Sequence, residues 1–429
     1  MIVIIYKTLY VINTIQMKLK ELKSCRICFT KKLVKYLNLG NHPYSNSFLS
    51  KGQISKEIKY PLELKLCKKC GLSQLSVIPN TKKIFSDYDY LSSSSSALDN
   101  HYLKLVKKIT KKYNINKNDT VLDVGCNDGV LLKHYIKKTN NIVGIEPSNA
   151  IEKIKNKNKI NIINKFFNFK TSKEYLKKYK RPRIITITNV LAQIDDLNDF
   201  VKGLRNISDN QTVIIIEFPY SLTMFDYTFF DLIYHEHLSY FNLYCINYLF
   251  KKFNFSVIDY EKIDLGASGP AIRIYITTKN SEIKRNKKKI KSILQKELKW
   301  GIKKMIRYKL FSFKVVKKIN HIRKIIYDLF NKNKSIGCFT ASAKGNTLLN
   351  CLKIEKKIIK YTCENNKRKI GKYMPGTHIK IISDNEYLKK KIDYSLLLSW
   401  NYADFFLNSS SYKKRGGKFI IPFPKIFIK

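Results

Sequence analysis

The sequence predicts an α/β protein in three parts: a small metal-binding N-terminal domain, a central Rossmann-like domain and a C-terminal Rossmann-like domain. Two cysteine pairs near the start, "CRIC" and "CKKC", mark the first part. Between residues 86 and 280, apolar runs of strand length alternate with amphipathic stretches, the pattern of a doubly wound sheet. The same alternation returns after residue 334 in "SIGCF", "KIIKYTCEN", "YSLLLSW" and "KFIIPF".

Taken in order, residues 1–16, "MIVIIYKTLYVINTIQ", are apolar but lack a leading basic segment and a small-residue cleavage site. They read as an over-called start or a short extra strand, with Met17 opening the more ordinary "MKLKELKSC". Residues 17–85 form the knuckle region. Cys25 and Cys28, and about forty residues later Cys67 and Cys70, offer four thiolates to a tetrahedral Zn²⁺ and leave no open position for chemistry. A pair of disulfides, the alternative, fits poorly with a chain lacking a secretion signal. Residues 86–280 are the central domain. Residues 281–333 are rich in lysine with recurring Ile, Leu and Phe, and read as one or two long helices packing one face on a neighbour. Residues 334–429 complete the chain.

The chain is 429 residues long, ample for several cores, and its 44% hydrophobic content excludes wholesale disorder. A formal charge of +50 suggests nucleic acid, but only ten of the 82 basic residues are Arg, the preferred reader of phosphates and bases. The lysines are spread from end to end among Ile and Asn, as an AT-rich coding bias imposes. We expect no nucleic-acid partner and no membrane partner, a cytoplasmic location, and a monomer or homodimer. No apolar run reaches the ~18–20 residues of a membrane span.

"TVLDVGCNDGVLLKHY" reads as strand, glycine turn and helix start. Asp123 ends the strand, Gly125 and Gly129 let the backbone approach a ligand, and Asn127 and Asp128 suit the start of the helix. The next strand ends in Glu146, where a carboxylate can grip ribose hydroxyls. The Gly-xxx-Gly spacing with acids crowding the turn departs from a pyrophosphate site. It suits the cationic sulfonium and amino group of S-adenosylmethionine (SAM). Two later strands end at Asn189, with Gln193 beyond it, and at Glu217. "IYHEHLSY" (233–240) gathers two of the seven histidines around one glutamate. From the residues alone it is open to three readings: metal site, general-base site or loop cluster.

Nine features in order give the chain a resemblance to the SAM-dependent C-methyltransferases that act on nucleotide-linked 4-keto-6-deoxy sugars. They are "CRIC…CKKC", "DYDYLSSSSS", "VLDVGCNDG", "GIEPS", "NVLAQIDDL", "EFPY", "YHEHLSYF", "ASAKGNTLLN" and "GKYMPGTHI". The resemblance implies a zinc-binding domain, a class I methyltransferase domain and a Rossmann-like domain that helps hold the sugar nucleotide, a dTDP-, CDP- or GDP-linked keto sugar. It places the base on His237, with Glu236 and Tyr234 beside it, and a proton-handling role on Tyr90, with Tyr88 second. Ser342, Lys344, Asn346, His378 and Arg273 are the expected sugar-nucleotide contacts. A histidine near pKa ~6.5 suits removal of a proton beside a ketone. Gln193 departs from a more usual histidine, "GASGPAIR" (266–273) from a Gly-Gly-Ser-Leu-Arg run, and Ile370 from a glutamine. O- or N-methylation of a sugar or other small molecule is the nearest alternative, and a zinc-knuckle RNA methyltransferase a more distant one.

Overall fold

The computed structural model describes residues 20–86, 91–266 and 269–429, so residues 1–16, Tyr88 and Tyr90 lie outside the described residues. The N-terminal region contributes β1 (Lys20–Glu21), β2 (Leu33–His42), β3 (Tyr60–Cys67), β4 (Ser73–Leu75) and β5 (Val77–Ile78). On β3 the even positions Leu62, Leu64 and Leu66 are fully buried, the period-2 signature of a sheet with one face on a core.

The central domain carries β6 (Thr120–Val124), β7 (Asn141–Ile145), β8 (Asn161–Ile163), β9 (Ile184–Thr188), β10 (Val213–Pro219), β11 (Ser239–Tyr240), β12 (Phe255–Gly266) and β13 (Gly269–Thr278). Seven of these form one sheet in the order β12-β13-β10-β9-β6-β7-β8, in which only β13 runs against its neighbours. The strands are near-continuous Ile, Val and Leu because helices bury both faces. Alternate residues of β9 and β10 belong to two different cores: Ile185, Ile187, Ile214 and Ile216 to one, Ile184, Val213 and Ile215 to the other. Strand order reverses at β6, which opens a crevice at the carboxyl ends of β6, β7 and β9.

The segment missing from that sheet is β11. It pairs antiparallel with β4, and the second sheet is therefore β11-β4-β3-β2. Two residues just past the YHEH segment are thus a strand of the N-terminal sheet.

The lysine-rich region forms two helices, Lys287–Trp300 and Met305–Asn331, separated at Gly301 in the left-handed region (φ 93°). The longer one buries Tyr308, Phe311, Val315, Ile322 and Ile326 at helical spacing. The C-terminal domain contributes β14 (Ile336–Phe339), β15 (Ile359–Glu364), β16 (Lys380–Ser383), β17 (Tyr394–Leu397), β18 (Lys418–Ile421) and β19 (Phe427–Ile428). Its order is β16-β15-β14-β17-β18-β19, parallel save for β19. No helix among the described residues is long and apolar enough to cross a membrane.

Candidate active site

Cys25 and Cys28 lie on the turn before β2, Cys67 ends β3 and Cys70 lies on the turn to β4. Their sulfurs all fall within 4.8 Å of one another, with Cys25–Cys70 and Cys28–Cys67 at 3.5 Å. Thiolates at ~2.3 Å from a tetrahedral zinc stand about 3.8 Å apart, so the set fits the ion as it lies. All nine cysteines are free, and among the described residues this is the one such metal-ligand cluster.

A cavity of about 1410 Å³ opens over the carboxyl ends of β6, β7 and β9 and is walled on its far side by the C-terminal domain. Of the residues the sequence singled out for SAM, Gly125, Asn127, Glu146, Asn189 and Gln193 line it, whereas Asp123, Asp128 and Gly129 do not. Asp123 is buried behind the strand end and accepts from Thr186 Oγ1 at 2.6 Å; burial, then the nearby Glu146 charge, push its carboxyl up to about 7. Gly125 has φ 76°, and a Cβ there would stand 2.3 Å from Val190 Cγ2. Glu146 accepts the backbone N–H of Asn127 and of Ser148, both at 2.9 Å.

The helix expected after this turn is a four-residue 3-10 turn, Leu132–Tyr135. The side chains of Asn127 and Asp128 accept the backbone N–H of Ser92 (2.9 Å) and Ser93 (3.1 Å), and so hold the serine run over the cavity. Asn189 adopts the left-handed region (φ 59°), and among the described residues both polar atoms of its buried amide lack a protein partner. Such a pair costs free energy unless a polar ligand meets it. This amide, the side-chain-free approach at Gly125 and the Glu146 carboxylate fit SAM.

His237 and Tyr234 line the same cavity. Tyr234 Oη and His237 Nε2 are 3.0 Å apart and the rings nearly stack, with centroids at 4.2 Å. The sequence reading put the histidine near its ordinary pKa; the structure corrects this. Burial pushes His237 down to about 4, against the opposite pull of a backbone hydrogen bond at Leu232, so the ring is neutral at pH 7. The other two members of the segment do not line the cavity. His235 is fully buried with Nε2 3.1 Å from Pro61 O. Glu236 faces the N-terminal domain and accepts from Asn46 N (2.9 Å) and Nδ2 (3.2 Å).

In the C-terminal wall, Ser342 caps the Ala343–Leu352 helix, accepting from Gly345 N at 3.2 Å, and lines the cavity with Lys344. Lys344 is 7% exposed, sits 4.8 Å from the Trp400 ring centroid and bonds Asn401. Burial pushes it down to about 8, with Asp231 pulling it up. Asn346, His378 and Arg273 are placed elsewhere. Asn346 donates to Ser45 O (2.6 Å), and His378 meets Glu57 at 2.9 Å. Arg273 is paired with Glu217 at 2.7 Å in a separate hollow of about 440 Å³ that it lines with His101. The reading of the residues missed Asn46 and Asn401. Each belongs to a segment distant in sequence from the cavity motifs, so no local spacing signals them.

Three family models match the chain in succession: "Putative zinc binding domain" over residues 25–85, "Methyltransferase domain" over 96–260 and "C-methyltransferase C-terminal domain" over 266–424. The chain is a SAM-dependent methyltransferase with a structural zinc-binding domain. It is 24% identical over 408 residues to the C-methyltransferase NovU of Streptomyces niveus, covering 95% of this chain and 96% of that one. Among solved structures, it is similar to a SAM-dependent methyltransferase from Anabaena variabilis (14% identity, 40% of this chain and 83% of that one, TM-score 0.33). It is also similar to magnesium protoporphyrin IX methyltransferase from Synechocystis with bound SAH (12% identity, 42% and 83%, TM-score 0.32).

Proposed function

We propose that the protein transfers the methyl group of SAM to a ring carbon of a nucleotide-linked 4-keto-6-deoxy sugar. The observation that carries this reading is one cavity shared by the glycine-turn and Glu146 region, the His237–Tyr234 pair and the buried Lys344. SAM supplies an electrophilic methyl; Glu146, Asn189 and Gln193 are the groups assigned to hold it. A carbon has no lone pair to offer, so the C–H bond beside the ketone breaks first. Neutral His237 takes that proton at Nε2, and the electron pair moves onto the carbonyl oxygen as an enolate. General-base help of this kind is typically worth about 10²–10⁴ in rate. Tyr234, in contact with Nε2, orients the ring and is the first group to share the proton. The enolate carbon then forms its bond to the methyl as the carbon–sulfur bond breaks, leaving S-adenosylhomocysteine. Lys344 and Ser342 are assigned to the diphosphate end, where a desolvated cation meets anionic oxygen strongly.

Solvent deuterium separates this reading from O- or N-methylation. With S-adenosylhomocysteine in place of SAM, a keto-sugar nucleotide in D₂O is expected to gain one deuterium beside the carbonyl in the presence of enzyme. Methylation of the acceptor with no such exchange, and with the methyl on oxygen or nitrogen, overturns it.

A further inference from the structure

Asn46 lies in "PYSNSFLS" (43–50), the loop that leaves β2, and nothing in that stretch marks a site. It nevertheless lines the large cavity together with Tyr234 and His237. Its backbone N–H and its Nδ2 both donate to one atom, Glu236 Oε1. Because Oε1 accepts from both groups, this double contact sets which way the amide points. The second Nδ2 hydrogen and Oδ1 remain for the cavity that the residue lines.

The loop itself is clamped from the C-terminal side. Asn346 donates to Ser45 O at 2.6 Å, and Leu49 and Tyr373 exchange backbone bonds at 3.1 and 2.8 Å. Glu236 is 1% exposed, and among the described residues its Oε2 has no hydrogen-bond partner. Burying a carboxyl group with an unmatched oxygen is unfavourable. A plain loop contact does not require that; fixing a donor–acceptor pair in a cavity wall does.

We infer that Asn46 is a substrate-contacting residue, reading a hydroxyl or carbonyl oxygen of the acceptor ring, and that Glu236 is the positioning residue that aims it. The inference rests on the proposed acceptor chemistry and assigns Glu236 no proton transfer.

The test is a double-mutant cycle on the acceptor that the wild type methylates, with SAM affinity measured for every variant. Asn46→Ala and Glu236→Ala are each expected to lower kcat/KM about 10–100-fold, the loss of one or two buried hydrogen bonds, chiefly through KM for the acceptor. The double variant is expected to be no worse than either single one, because both remove the same contact. Glu236→Gln is expected to keep most activity, since a carboxamide oxygen accepts the same two N–H groups. Unchanged SAM affinity shows that each variant is folded. Glu236→Gln as inactive as Glu236→Ala, with multiplicative losses in the double variant, overturns the inference and makes Glu236 a proton-transfer group. Asn46→Ala at wild-type activity overturns it as well. A wild type inactive on every keto-sugar nucleotide withdraws the acceptor chemistry and this inference together, whereas an active wild type with an unaffected Asn46→Ala removes this inference alone.

Discussion

Burial rather than a charged neighbour governs His237: the ring is 4% exposed and sits at about 4. A neutral imidazole is the proton-accepting form, and with a depressed pKa that form persists well into acid. The expected pH profile of kcat/KM is therefore flat from pH 7 to about 5 and falls as pH drops through about 4; an ordinary histidine base would put the limb near ~6.5. Measured acceptor kcat/KM across pH 4–8 decides between them. A second expectation concerns Gly125. An alanine there meets Val190 at 2.3 Å in a backbone region that costs L-residues about 1–2 kcal/mol. Gly125→Ala is expected to weaken SAM binding at least about tenfold by calorimetry. The glycine turn was legible in the sequence because only glycine tolerates both demands. The titration of His237 was not, because its desolvation comes from chains of other elements folding over it. Asn127 and Asp128 were legible as belonging to the turn but not as anchors of the serine run, whose partner segment lies 35 residues earlier.

At the scale of elements, the pairing of β11 with β4 matters most. Leu75 N donates to Leu238 O at 3.1 Å and Leu238 N to Ala192 O at 2.8 Å, so the YHEH segment is hung between the zinc-binding sheet and the SAM-binding domain. Zinc binding free energy is folding free energy for a small thiolate domain. Removing zinc with a chelator, or Cys67→Ser, is expected to speed hydrogen exchange at residues 73–75 and 233–240 and to lower methyl transfer more than SAM affinity. Equal loss of both would contradict this placement. The knuckles were legible because their spacing is local. A two-residue strand that joins a distant sheet carries no periodicity, and β11 therefore could not be read from the chain. β19 escaped for the same reason, being two residues long.

Across the whole molecule one apolar core runs from Leu37 and Leu64 of the N-terminal sheet, past Ile233 and Leu238, to Phe311 and Val315 of the long helix and Leu348 and Leu396 of the C-terminal domain. Parts that share a core unfold together. Phe311→Ala is expected to cost about 3–5 kcal/mol and to lower one shared unfolding transition; separate melting of the N- and C-terminal regions would contradict the shared core. The fold class was legible because strand-length apolar runs repeat in both Rossmann-like regions. The packing of the first region against the last was not: the recurring Ile, Leu and Phe of residues 281–333 announce a packed helix face but not which regions it joins. On the proposed function, these parts converge on one carbon-methylating cavity with His237 as its base. The most direct test is mass spectrometry of a panel of nucleotide 4-keto-6-deoxy sugars incubated with SAM and either wild type or His237→Ala. A sugar nucleotide heavier by one methylene is expected with wild type, lost or reduced by about 10²–10⁴ in the variant. Methylation undiminished in His237→Ala, or none on any panel member by an enzyme that binds SAM, would contradict it.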